Sequence, residues 1–285
     1  MKIGTLADWF GVGLIEGIRE SQRCGAQGVQ VYAAGELDSM TVTPEQVKKV
    51  RDTARECDQQ IVSLCGELGG FGLEKAEDNA AKIEYLKRTV ELALEFDCHV
   101  VTTHIGVVPA DKSHPRYAVM KEACMEIGEF AAKHGSCIAV ETGPELITTL
   151  KSFVDDCGEG IAINYDPANI VMATRDDEVK GVYTAGKSIV HTHAKDGICR
   201  HNLPAEEFYH MFATYGLEQM REKEYSRETP LGEGSVRWNE YLTALKDIGY
   251  NGFLTIEREI KNGAEDIRMA VKFLNSKLKE LNISI

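Results

Sequence analysis

Short apolar runs of strand length alternate with longer segments of helical period along the whole chain, and this alternation limits the fold more than any other feature. The strand runs are Lys2 to Thr5, Gly28 to Tyr32, Gln60 to Cys65, His99 to His104, Cys137 to Glu141, Ile161 to Asp166, Ile189 to His193 and Gly252 to Glu257. Strands this apolar must be covered on both faces, and a helix after each one returns the chain for a parallel neighbour. The clearest helix patterns are Asn79 to Phe96, Tyr117 to His134, Val236 to Ile248 and Ala264 to Leu281; in the first, Ile83, Leu86, Val90, Ala93 and Leu94 form one stripe. Local signals agree: Thr43 before Pro44 and Glu45 reads as an N-cap, and Gly135 and Gly249 each follow the last periodic residue of a helix. Eight such units favour closure, so the expected fold is α/β, a (β/α)8 TIM barrel forming one domain over residues 1–285. That length suits a barrel of ~250 residues. A doubly wound open sheet is the alternative, but no Gly-rich phosphate turn follows the first strand.

One stretch breaks the rhythm. After the seventh strand, Lys195 to Ser235 intervenes before the next helix pattern, where βα loops commonly take ~2–6 residues. Within it, Ala205 to Tyr215 has a helical pattern with Phe208, Met211 and Phe212 on one side. Loops after barrel strands occupy the face where active sites form, so this extended loop and helix insertion is expected to wall or cap a pocket. Its other reading is a contact in a homo-oligomer.

The formal net charge of -13, without a dense Lys and Arg cluster, argues against nucleic acid, whose binding needs multiple cationic contacts. Apolar runs such as Ile161 to Ile163 fall far short of the ~20 residues of a membrane helix. The amino terminus, MKIGTLADWFG, lacks the apolar stretch of a signal peptide, so a cytoplasmic location is expected. The eight cysteines are scattered with no CxxC pair and read as small buried hydrophobes.

Several strands end in an ionisable residue where the apolar run stops: His104 in VVTTHIG, Glu141 in IAVETG, Asp166 in INYDPAN, His193 in IVHTHAKD and Glu257 in FLTIERE. In a parallel barrel all strand C-termini share one face, so these residues converge although they are far apart in sequence. Any one carboxylate alone reads equally well as a helix cap. Three together repel one another and need a cation. With imidazole and no thiolate, the set suits one divalent metal among Mn²⁺, Mg²⁺, Co²⁺ and Zn²⁺.

The motifs VTTHIG, AVETG, NYDPANI, HTHAKD, PLGEGSVRW and GYNGFLTIERE, in this order, resemble the xylose isomerase-like barrels, a family of sugar isomerases, sugar 3-epimerases, hydroxypyruvate isomerase, inosose dehydratase and endonuclease IV. The resemblance implies Glu141, Asp166, His193 and Glu257 as metal ligands, with Glu141 and Glu257 also the acid/base pair. His191, on the same strand face as His193, reads as a packed or supporting residue. Two departures from the 3-epimerases stand out: Asn169 where they have histidine, and an arginine, Arg200, displaced from their usual offset. The HAKD form implies that Lys195 contacts substrate oxygens. Trp9, Glu67 and His104 complete the candidate substrate contacts, Trp9 by stacking on a sugar face and the other two through hydroxyls.

The implied chemistry is proton transfer beside a carbonyl through a metal-held ene-diolate, giving an isomer or an epimer of a small sugar or polyol. A dehydratase or lyase acting on a keto-sugar or inosose would use the same site. The endonuclease reading lacks its basic track, and the retained ligands argue against a sugar-binding relative without turnover.

Overall fold

Apolar strands need hydrogen-bonding partners on both edges, and here the pairing closes on itself. The computed structural model describes residues 1–259 and 263–284. Its barrel strands are β1 (Lys2–Leu6), β2 (Gly28–Tyr32), β3 (Gln60–Cys65), β4 (Val100–Thr103), β5 (Cys137–Glu141), β6 (Ile161–Tyr165), β7 (Ile189–Ala194) and β10 (Phe253–Ile256). They run in the order β1-β10-β7-β6-β5-β4-β3-β2, every neighbour parallel, and β1 closes the barrel by pairing with both β2 and β10. This is the predicted (β/α)8 barrel, with each strand run in place. His104, Asp166 and Glu257 lie just beyond their strands rather than at the last paired position. That places their side chains at the barrel mouth.

Helices α1 (Leu14–Cys24), α2 (Pro44–Glu56), α3 (Ala76–Leu94), α4 (Pro115–Lys133), α5 (Ile147–Cys157), α7 (Glu178–Ala185), α9 (Trp238–Asp247) and α10 (Ala264–Glu280) surround the strands, and a single turn, α6 (Pro167–Asn169), follows β6. The stripe expected on α3 is buried through Ile83, Leu86, Val90 and Ala93. Thr43 caps α2 in a reciprocal capping box with Gln46, while Gly135 and Gly249 take the left-handed conformation, φ 66° and 80°. The main apolar core lies between strands and helices. Gly160 is required by a close approach: a Cβ there would sit 2.0 Å from the Gly128 carbonyl oxygen of α4, and its φ is +82°. All eight cysteines are free, five buried as expected and Cys24, Cys137 and Cys199 half-buried.

The long segment after β7 is more ordered than its sequence pattern suggests. It forms β8 (Asp196–Cys199), α8 (Ala205–Glu222) and β9 (Ser226–Thr229), with β8 and β9 paired antiparallel as a separate two-stranded sheet. The helix kinks at Gly216, just past the predicted end of its pattern. One side chain fastens both ends of the insertion. Fully buried Asp196 accepts hydrogen bonds from the backbone N–H of Gly197, Gly232, Gly234 and Val236 at 2.9, 2.9, 3.2 and 3.1 Å, and from the Trp238 indole at 2.9 Å. Those bonds hold Val236 in the PLGEGS turn, so α9 starts at Trp238 rather than at the expected Val236.

Removing this carboxylate strands several buried N–H groups at once, at ~1–3 kcal/mol for each unsatisfied donor. Asp196→Ala is expected to cost about 3 kcal/mol or more and to lower Tm by roughly 10 °C, read by calorimetry. An unchanged Tm would show that the turn holds without it.

Candidate metal centre

The strand ends deliver four ligand atoms to one point. Glu141 is the last residue of β5, His193 lies on β7, and Asp166 and Glu257 directly follow β6 and β10. One oxygen or nitrogen from each lies within 4.8 Å of all the others, and all four residues are buried. His193 Nδ1 is 3.4 Å from Glu141 Oε1, 3.6 Å from Asp166 Oδ2 and 3.4 Å from Glu257 Oε2. Two donors each ~2.1 Å from one ion and ~110° apart stand ~3.4 Å from each other, so the spacing suits ligands converging on a cation.

The hydrogen bonding supports the same conclusion. Asp166 divides its carboxylate: Oδ1 caps α6, accepting from the N–H groups of Ala168 at 2.8 Å and Asn169 at 3.0 Å, while Oδ2 is buried without a hydrogen-bond partner. The helix-cap reading of this residue thus holds for one oxygen, and the other is left open to a ligand role. His193 is divided likewise. Its Nε2 lies 3.2 Å from Gln30 Oε1 and 3.3 Å from Asn164 Nδ2, while its buried Nδ1 has no hydrogen-bond partner. These two orphaned atoms face the same point, which is the observation that a cation would account for.

Supporting groups hold the ligands in place. Asn164, two residues before Asp166 on the same strand face, donates to Glu141 Oε2 at 3.0 Å, and Asn169 donates to Glu141 Oε1 at 2.8 Å. Gln30 Oε1 also takes Ser63 Oγ and His191 Nε2, each at 2.9 Å. Burial pushes the His191 pKa down to about 3, so it stays a neutral packed residue that steadies the ligand network. Gln30 and Asn164 were not among the residues singled out from sequence. Their signal is a polar side chain inside an otherwise apolar strand.

With only the protein's own charges acting, burial pushes Glu257 up to about 7, partly offset by Lys195 and His193. Burial alone would raise Glu141 too, but His193 and His104 beside it outweigh that and hold it well below the usual carboxylate range. Burial disfavours charge on His193, yet Glu257 and Glu141 prevail and lift its pKa well above normal.

The centre opens into a cavity of ≈ 460 Å³, within the usual range for small-molecule sites. Lys195, Glu67, His104 and Asn169 all line it. His104 Nδ1 is 2.9 Å from Glu67 Oε2 and its Nε2 is 3.5 Å from Glu141 Oε1, linking the wall to a ligand. Lys195 Nζ lies 2.8 Å from Glu257 Oε2 and 3.0 Å from Glu259 Oε1. Helix α8 supplies Phe208, Tyr209 and Phe212 to the wall, so the insertion does border the pocket. Two expectations need correcting. Trp9 packs half-buried against the core rather than on the cavity wall, because the turn after β1 folds back under α1. Arg200 follows β8, which carries it to an exposed position 3.5 Å from Glu224 and off the cavity wall.

Tyr209 carries no sequence signal. Its hydroxyl lies where a Cβ on Gly143 would be only 2.2 Å away, so glycine at 143, with φ +139°, admits it next to the strand end that carries Glu141.

Because a metal would have to displace protons from His193 and Glu257, apparent affinity for Mn²⁺ is expected to fall as pH drops, from above neutrality for His193 and through about 7 for Glu257, up to ~10-fold per unit for each proton displaced. Calorimetric titration at several pH values measures this, and pH-independent affinity would contradict the site. Replacing His193 with Gln should weaken binding at least ~100-fold.

The chain resembles known proteins across nearly its whole length. It is 24% identical over 215 residues to an uncharacterized Methanocaldococcus jannaschii protein, covering 70% of this chain and 65% of that relative, so it spans about two-thirds of the relative's length. Among solved structures, a xylose isomerase domain protein from Planctomyces limnophilus superposes with TM-score 0.81 and 27% identity, covering 99% of this chain and 98% of that one. A probable 3-DHS dehydratase, AsbF, from Bacillus anthracis gives 0.76 and 18% over 96% and 99% of the two chains. A D-psicose 3-epimerase solved in the presence of D-fructose gives 0.72 and 19% over 98% and 99%. Residues 18–277 match the xylose isomerase-like TIM barrel family as a whole. With its closed parallel barrel and ligands gathered at the strand ends, the chain belongs to the xylose isomerase-like TIM barrel family.

Proposed function

We propose that the protein is a divalent-metal-dependent isomerase or epimerase of a sugar or polyol-derived ketone, acting by proton transfer between carbons beside a carbonyl. What carries this reading is the pair of buried, unpartnered atoms, His193 Nδ1 and Asp166 Oδ2, beside two glutamates of which Glu141 lines the cavity. Glu141, Asp166, His193 and Glu257 would hold the ion. A bound divalent cation polarises a carbonyl and makes the neighbouring C–H acidic.

The chain's own residues then divide the work. Glu257, lifted toward neutrality by burial, is suited to take and return the proton, since an acid/base group works best with a pKa near the operating pH. Glu141 is the other carboxylate of the proposed acid/base pair. Asn164 and Asn169 fix the Glu141 carboxylate through both oxygens, and Lys195 fixes Glu257. Return to the opposite face of the same carbon gives an epimer, and return to the adjacent carbon gives an isomer. The phenylalanines of α8 narrow the cavity and limit access of water.

A dehydratase or lyase is the second reading, favoured by Lys195 at the site and by the fold shared with a probable dehydratase. It would need a proton delivered to a departing hydroxyl. Burial alone would lower the Lys195 pKa, but Glu257, Glu259 and Asp166 outweigh it and raise it well above the ordinary lysine value. A proton held so firmly makes a poor acid, which ranks isomerisation and epimerisation first.

Incubating ketoses with the Mn²⁺-loaded enzyme in D₂O is expected to label the carbon beside the carbonyl with no change in product formula. Loss of water from the product, seen as a mass change, would decide for the dehydratase. Glu257→Gln is expected to lower kcat by ~10²–10⁴. A variant with full activity would remove Glu257 from the acid/base role.

A further inference from the structure

The proposed reaction does not specify the charge of its substrate, but the cavity wall bears on it. Five carboxylates face the cavity: Glu67, Glu74, Glu141, Glu228 and Glu259. Among the described lining residues the cationic candidates are Lys195, His104 and His210, and each is already engaged. Lys195 lies between Glu257 and Glu259 at 2.8 and 3.0 Å, His104 is 2.9 Å from Glu67, and His210 is 3.2 Å from Glu74.

The arginines just behind the wall are committed too. Arg116 bridges Glu74 and Glu206 at 3.3 and 2.6 Å, and Arg258 bridges Glu228 and Asp266 at 2.6 and 2.9 Å. Phosphate and carboxylate recognition favours an arginine fork with both N–H groups available, and neither of these offers one. Two N–H groups of the glycine-rich turn on the wall are likewise taken. The Gly69 N–H donates to Glu67 Oε1 at 2.9 Å and the Gly72 N–H to the Gly69 carbonyl at 3.1 Å. A divalent ion would offset two of the three ligand carboxylates and leave the wall acidic. The remaining surface is apolar, with Phe71, Met172, Phe208 and Phe212 suited to the C–H face of a sugar.

We infer that the cavity selects uncharged polyhydroxy ketones and turns away phosphorylated or carboxylate-bearing ones. This rests on the reading of the site as one for sugars or polyols, and it deepens that reading. A bound anion would lose its water against a surface of like charge, with each compensating cation among the described residues already paired.

Calorimetric titration of the Mn²⁺-loaded protein with D-sorbitol and with D-sorbitol 6-phosphate tests the inference without requiring turnover. The neutral alditol is expected to bind at least ~100-fold more tightly at low salt. The gap should narrow as NaCl rises from ~0.02 to ~0.5 M, because salt screens charge but does not relieve steric exclusion. Phosphate-ester binding equal to or tighter than that of sorbitol, a gap insensitive to salt, or no binding of either probe would each overturn it. D₂O exchange into D-fructose and D-fructose 6-phosphate is measured in parallel. Sorbitol selectivity without exchange would refute the proposed reaction while leaving the charge selection standing, whereas exchange into both ketoses at similar rates would refute the charge selection alone.

Discussion

Three carboxylates and one imidazole, buried together at the mouth of a barrel, are the constraint around which this site is built. In a low-dielectric setting their mutual repulsion is too costly to leave uncompensated. The protein alone answers only in part, by lifting Glu257 and His193 toward their protonated forms and by bringing Lys195 against Glu257. A divalent ion would answer it fully. Asp166 Oδ2 and His193 Nδ1, buried without hydrogen-bond partners, are the atoms such an ion would satisfy.

The barrel interior is accordingly not a simple apolar core. Gln30 on β2, Ser63 on β3, Asn164 on β6 and His191 on β7 form a buried polar network whose hydrogen bonds end on the ligands His193 and Glu141. Such a network orients the Glu141 and His193 side chains, so that a metal would meet a preformed site. The insertion after β7 adds a second constraint from outside. Asp196 fastens its turn, and α8 turns Phe208 and Phe212 toward the cavity. Ligand geometry and pocket shape thus come from separate parts of the chain.

Much of this was legible before any coordinates. The eight strand runs coincide with the eight barrel strands because nearly continuous apolar segments of strand length have few other uses in a chain of this size. The convergence of Glu141, Asp166, His193 and Glu257 follows from topology alone, since parallel barrel strands all end on one face. Lys195, Glu67, His104 and Asn169 line the cavity for the same reason. Trp9 and Arg200 do not. Their place depends on the path of a loop, and a turn or hairpin of a few residues can redirect a side chain without altering the local pattern.

Periodicity and charge are properties of the chain, and they were enough to reach the barrel, the strand ends that meet and an excess of acid that a cation would offset. Packing in three dimensions sets which oxygen of Asp166 caps a helix and which stays open, which nitrogen of His193 is left without a partner, that Tyr209 reaches the site past Gly143, and that the described cations around the cavity are already paired. Those outcomes depend on distances of about an ångström between residues far apart in the chain. Such distances are set by packing, which no local pattern encodes.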